Sequence, residues 1–155
     1  MIYDLRGNVG GSDSWPRKWI QSFLGTQNSI ETSMLYAQKN SALFAAENSE
    51  SLLPEDEGTC FAREVHGTWY ENDIPIIVLV DDHCGSSGEG AVQLLKTLDN
   101  VLVVGSNTAG YQLCGNISTF TLPYTGIGVR FGVNAFPLWG RRKCRSQGLC
   151  SGCLV

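Results

Sequence analysis

Apolar and polar positions divide this chain into distinct pieces, and the stretch from Ile74 to Leu98 organises the rest. Ile76 to Val80 form an unbroken apolar run rich in β-branched residues, preceded by Pro75. That is the pattern of a parallel-sheet strand covered on both faces. Beyond it, Ala91, Leu94, Leu95 and Leu98 recur at helical spacing, with Glu89, Gln93 and Lys96 interspersed. A second buried strand, Val101 to Val104 ending at Gly105, completes strand, helix and strand over 74–105, a right-handed parallel βαβ unit. Between the first strand and the helix lies His83-Cys84-Gly85-Ser86-Ser87-Gly88-Glu89. A turn of this kind presents hydroxyls at a strand's carboxyl end and aims the free N–H groups of a helix at whatever binds there. In α/β proteins that end of the sheet is where ligands bind.

The other segments are organised around this unit. Ile2, Tyr3 and Leu5 suit a strand that runs into Gly7-Asn8-Val9-Gly10-Gly11. Glycine density there fits either a tight surface turn or a loop whose N–H groups face an anion or oxyanion. Ser12-Asp13-Ser14 can cap a helix from Trp15 to Leu24, with Trp15, Trp19, Ile20 and Phe23 as its core-facing stripe and Gly25 as its end. Met34, Leu35, Leu43 and Phe44 fit a lid helix or a loose excursion within a polar region spanning 26–72, in which Phe61 to Val65 read as a short strand. His66 reads as a surface or partly packed residue. Ser106 to Gly110 is a second small-residue turn, expected near Ser86. Ile117–Leu122 and Ile127–Val133 alternate as an antiparallel hairpin around Pro123-Tyr124-Thr125-Gly126.

Composition narrows the chemistry. The chain has 155 residues, enough for one core, and a net charge of −4, with a pI near 5.1. This balance excludes a nucleic-acid surface, which needs clustered Lys and Arg. No apolar run is long enough to span a bilayer, and no signal peptide is visible. Six cysteines are too few for a disulfide scaffold of this size, so a reducing compartment is the default. Residues 139–155 change character, with four basic residues and three cysteines, Cys144, Cys150 and Cys153. A structural zinc site wants two ligand pairs and only one is present, so no metal is assigned. Segment 140–155 is expected to be a tail translated out of frame, poorly packed and with reactive thiols.

Four motifs occur in order: DLRGNVGG (Asp4 to Gly11), the apolar strand leading into GSSGE (Gly85 to Glu89), VLVVGSNTAG (Val101 to Gly110) and PYTGIGVRFGV (Pro123 to Val133). Together they resemble the C-terminal-processing, or tail-specific, serine peptidase family, including its tricorn-like branch. The resemblance implies an α/β fold with a ClpP/crotonase-like core, parallel βαβ units and a C-terminal antiparallel hairpin. Residues 1–138 would then be the C-terminal half of a catalytic core, needing no cofactor and acting on peptides or unfolded protein termini. The missing N-terminal part of the same family protein is the expected partner. Full-length relatives are often exported, but the chain itself leaves localisation open.

Carried over residue by residue, Ser86 matches the family's nucleophile and Glu89 its acidic position. The resemblance also places the N–H groups of Ser87, Gly10 and Gly11 at an oxyanion hole, and Thr108 and Gly110 beside the substrate. The competing reading of Ser86 and Ser87 is a simple helix cap. Two departures stand out. One branch of the family carries a lysine base after T-x-G, where this chain has Tyr111, and Lys96 lies about 15 Å along the helix from Ser86, too far to replace it. The tricorn-like branch uses an upstream histidine and a glutamate near the C-terminus that have no counterpart here. His83 is a neighbour of Ser86 more than a base. The expected activity is therefore that of a weakly active peptidase portion; the alternatives are a catalytically inactive peptide- or small-ligand-binding relative and a non-functional gene fragment.

Overall fold

The computed structural model describes residues 1–39 and 58–135. Its first sheet is parallel and three-stranded, in the order β1 (Ile2–Asp4), β4 (Ile76–Val80), β5 (Val101–Gly105). The register places Ile2 beside Ile77, and Ile77 beside Leu102. Helix α2 (Ser87–Leu95) joins β4 to β5, as the period change in the sequence predicts. Helix α1 (Ser14–Leu24) follows the loop after β1 and packs against α2.

The core lies between the helices and one face of this sheet. Ile76, Val78 and Val80 from β4 meet Ala91, Val92, Leu94, Leu95 and Leu98 from the α2 segment, with Ile20 from α1. Tyr3, Trp19 and Phe23 extend it as an aromatic row: Tyr3 stands edge-on to Trp19 at 4.9 Å, and Trp19 stacks on Phe23 at 5.1 Å. Trp15 departs from the expected stripe, since it is 70% exposed and lies under the Lys18 ammonium. Asp13 occupies the N-cap without a side-chain cap bond; Ser12 Oγ instead accepts the Ser14 N–H. Gly25 ends α1 in the left-handed conformation, the conformation that glycine adopts most readily.

The second sheet is antiparallel, ordered β3 (Cys60–Val65), β2 (Met34–Lys39), β7 (Gly128–Ala135), β6 (Cys114–Thr121). The predicted hairpin is β6–β7, and its turn is closed by the Leu122 N–H on the Ile127 carbonyl. Met34 and Leu35 belong to strand β2, so the lid-helix expectation is corrected there: the segment pairs with Cys60–Val65 instead of coiling. Leu43 and Phe44, and everything expected of residues 139–155, lie outside the described residues.

The expectation that β4 and β5 are covered on both faces is also corrected. Among the described residues helices cover one face only, and on the other Ile2, Ile77, Leu102 and Val104 stand exposed along neighbouring strands. Leu95 is fully buried whereas Leu102 is 60% exposed. Leu95→Ala is therefore expected to cost about 2–5 kcal/mol in urea unfolding, and Leu102→Ser to stay within about 0.5 kcal/mol. A comparable loss for both would show that the open face is covered in solution.

Candidate active site

The loop after β1 and the turn after β4 are joined by hydrogen bonds that the sequence alone does not reveal. Asp81, the first residue past β4, accepts the N–H groups of Gly7, His83 and Cys84 on Oδ1, at 2.9, 3.2 and 3.0 Å. The Asn8 carbonyl accepts the Gly85 N–H at 2.9 Å, and the Asn8 side chain accepts the Gly10 N–H at 3.0 Å. Ser87 Oγ donates to the Gly11 carbonyl at 3.0 Å. The two segments meet most closely at Gly10 and Ser86. A β-carbon on Gly10 would stand 2.8 Å from Ser86 Cβ and 3.2 Å from its Oγ, and Gly10 has a φ of +122°. Only glycine meets both conditions. The structure thus brings Ser86, Ser87, Gly10 and Gly11 together.

Ser86 is exposed and has φ 53° and ψ −122°, a backbone conformation ordinarily left to glycine. Its N–H donates to Glu89 Oε2 at 3.1 Å. Glu89 is wholly buried, although its place among the polar positions of the helix pattern gave no sign of this. Its Oε1 accepts Thr108 Oγ1 at 2.6 Å and the Gly110 N–H at 2.8 Å. Its Oε2 also accepts the Gln112 N–H at 2.7 Å. Thr108 and Gly110, expected beside the substrate, thus direct these donors to Glu89.

The remaining polar groups complete the surroundings. His83 is exposed, and its Nδ1 lies 2.9 Å from Asp82 Oδ1. Among the described residues no basic side chain is hydrogen-bonded to Ser86 Oγ. The Ser87 and Gly11 N–H groups meet no acceptor among the described residues, whereas that of Gly10 is taken by Asn8. Asp81, Asp82 and His83 bring three ligand atoms within 4.8 Å of one another, but Asp81 Oδ1 already receives three N–H groups, and no metal is assigned there. Cys84 is buried beneath the turn. Burial first, then the nearby charges of Glu89 and Asp81, push its thiol up to about 11, so it is a packing group and not a thiolate nucleophile.

This geometry can be compared with that of known proteins. The sequence profile of peptidase family S41 matches residues 1–142. The chain belongs to peptidase family S41. In fold it is similar to a peptidase structure from Parabacteroides merdae ATCC 43184, at 22% identity and a TM-score of 0.59, covering 96% of this chain and 42% of that one. It thus spans less than half the length of that protein. More distant likenesses are a lipoprotein from Streptococcus agalactiae (21% identity, TM-score 0.42, 86% of this chain and 42% of that one) and a photosystem II D1 C-terminal processing protease (18%, 0.45, 88% and 29%). No curated protein sequence matches the chain. The mixed α/β architecture, with its parallel crossover and antiparallel hairpin, agrees with the fold that the sequence resemblance implied.

Two predictions follow from the carboxylates. Glu89→Ala would strand the buried Thr108 hydroxyl and three part-buried N–H groups, and is expected to cost about 3 kcal/mol or more by chemical denaturation. For Asp81, the Gly7 N–H, followed by those of His83 and Cys84, holds the carboxyl below its ordinary value of 3.8. A depressed folded value means that this stabilisation is complete above 3.8 and is lost as pH falls through the lower folded value. Asp81→Asn keeps the acceptor oxygen and removes the charge. Its urea midpoint should therefore fall less between pH 7 and pH 3 than that of the unaltered protein.

Proposed function

We propose that residues 1–138 are the nucleophile-bearing portion of a serine peptidase catalytic core acting on peptides or protein C-termini. The observation that carries this reading is the contact of the Gly10 backbone with Ser86, itself held in a glycine-like conformation at the start of α2. Ser86 Oγ attacks the carbonyl carbon of the scissile peptide and gives its proton to a base. The oxyanion that forms is held by the N–H groups of Ser87 and Gly11. Collapse of this intermediate expels the amine with a proton and leaves an acyl group on Ser86, which water then hydrolyses. Gly10 shapes the hole by permitting close approach, with its N–H on Asn8. Glu89 fixes the nucleophile's backbone and takes no proton in this scheme.

The base is not found among the described residues. General-base assistance is worth about 10² to 10⁴ in rate, and no described basic side chain is hydrogen-bonded to Ser86 Oγ. We assign that role to a part of the longer family protein, in keeping with the 42% of the Parabacteroides merdae peptidase that this chain spans. A second reading, a catalytically inactive relative that binds peptide in the same cleft, is favoured by the same lack and by Tyr111 in the position of the lysine.

An active-site-directed fluorophosphonate separates the two. Labelling of the folded chain that disappears in Ser86→Ala supports an activated serine; folded protein that stays unlabelled leaves the binding reading. Gly10→Ala is expected to slow labelling by about tenfold or more, since its methyl would displace Ser86 from its place beside the oxyanion donors. Peptide cleavage by the 155-residue chain alone should be slight, and robust Ser86-dependent turnover would refute the assignment of the base to another part of the protein.

A further inference from the structure

We infer that Tyr111 is a specificity-determining residue, packing an apolar side chain of the substrate next to the scissile carbonyl. This rests on the peptide-cleft reading of Ser86. The ring of Tyr111 lies on the turn that carries the nucleophile: a β-carbon on Gly85 would stand 2.6 Å from its Cδ2 and 3.3 Å from its Cε2. Gly85 is the residue immediately before Ser86, and Gly10 presses on Ser86 itself. A carbonyl in position for attack lies about 3–3.5 Å from the serine oxygen. In this proposal the substrate residues flanking that carbonyl pass over the ring, which touches the residue before the nucleophile.

The ring is firmly held as well as exposed. The residues on either side of Tyr111, Gly110 and Gln112, both donate their N–H groups to Glu89, the carboxylate that also receives the Ser86 N–H. The Gln112 side chain is tied to Gln93 of α2 at 2.6 Å. Despite this anchorage Tyr111 is 63% exposed, and its hydroxyl has no partner among the described residues. A ring kept for packing would be buried. Trp15 and Trp69, also exposed, are engaged elsewhere, Trp15 under Lys18 and Trp69 on Asp99, and the fully exposed Tyr124 belongs to the hairpin turn and not to a segment bonded to Glu89. A rigid, open aromatic face at a binding site offers contact area at little cost in entropy, and apolar groups gain most from it.

The test is equilibrium binding of two fluorescein-labelled dodecapeptides, one with Ala–Leu repeats and one with Ala–Ser repeats, followed by anisotropy. Alternating sequences present the chosen side chain whichever bond lies over Ser86. The unaltered chain should bind the leucine peptide more tightly. Tyr111→Ala should weaken leucine-peptide binding about tenfold and serine-peptide binding less than twofold, with an unchanged melting temperature. Tyr111→Phe should behave as the unaltered chain. Equal losses for both peptides, or no loss in Tyr111→Ala, would overturn the inference and leave the cleft intact. Failure of the unaltered chain to bind either peptide would overturn both the inference and the peptide-cleft reading.

Discussion

A single buried carboxylate holds the candidate site together. Glu89 lies in the first turn of α2 with no exposure to solvent. An ionised carboxylate in such a place is costly unless its lone pairs are met, and here four donors meet them. They come from three places in the chain: the Ser86 N–H at the helix start, Thr108 and Gly110 after β5, and Gln112 in the short 3₁₀ turn of residues Tyr111–Leu113. Each segment is thereby fixed relative to the others through one group. The position of Ser86 is accordingly a property of the whole cluster.

Asp81 and Asn8 perform the matching task on the opposite side. Asp81 gathers N–H groups from the loop after β1 and from the turn after β4, while Asn8 takes the Gly85 N–H on its carbonyl. These bonds set how closely the glycine loop approaches the Ser86 turn. The small residues complete the fit: a β-carbon on Gly88 would come within 2.7 Å of the Asn8 carbonyl oxygen. Asp4 and Arg6, within the same motif, play a different part. They form an exposed pair in which the guanidinium holds the Asp4 carboxyl down to about 2, and solvent screening makes such a pair a local brace for the loop.

What was legible in the sequence follows from what periodicity and motif order can carry. The β4–α2–β5 unit shows two unbroken apolar runs on either side of a helical spacing, α1 has a 3.6-residue pattern and the β6–β7 hairpin a two-residue one, and the chain folds accordingly. The proximity of Gly10 to Ser86 was legible only through the order of the motifs, because nothing local links residues 74 apart such as Gly7 and Asp81. The burial of Glu89 was not legible from pattern, since a glutamate in a helix is ordinarily solvated. Three of its four donors are 19 to 23 residues away, and two of those three are backbone groups; only the Ser86 N–H is local. Strand β2 was missed because its identity depends on pairing with β3 and β7, a tertiary context that overrides local preference. The exposed second face of the parallel sheet was hidden for a related reason: apolar runs show that a strand avoids water, but not what covers it.

The conformation of Ser86 bears on the choice between a helix cap and a nucleophile. A capping serine ordinarily takes an extended backbone and offers its oxygen to the first N–H groups of the helix. Ser86 instead has a φ of 53°, which for a residue with a β-carbon costs on the order of 1–3 kcal/mol. Ser86 and Glu89 do form a capping box, the serine side chain facing the Glu89 N–H and the Glu89 carboxylate taking the Ser86 N–H, but that exchange does not by itself call for the strained backbone. The same conformation turns the side chain outward, against a glycine whose own backbone is equally constrained, and places the neighbouring Ser87 N–H at the head of α2 beside the loop of Gly11. The clamps on either side, Glu89 and Asp81, have the bonds needed to hold such a turn against relaxation. Strain opposed by two buried or semi-buried carboxylate networks exceeds what local punctuation needs, and it is in keeping with the proposed role of the exposed Ser86 hydroxyl. The strained turn thus favours the proposed nucleophile over a simple cap whatever group serves as the base.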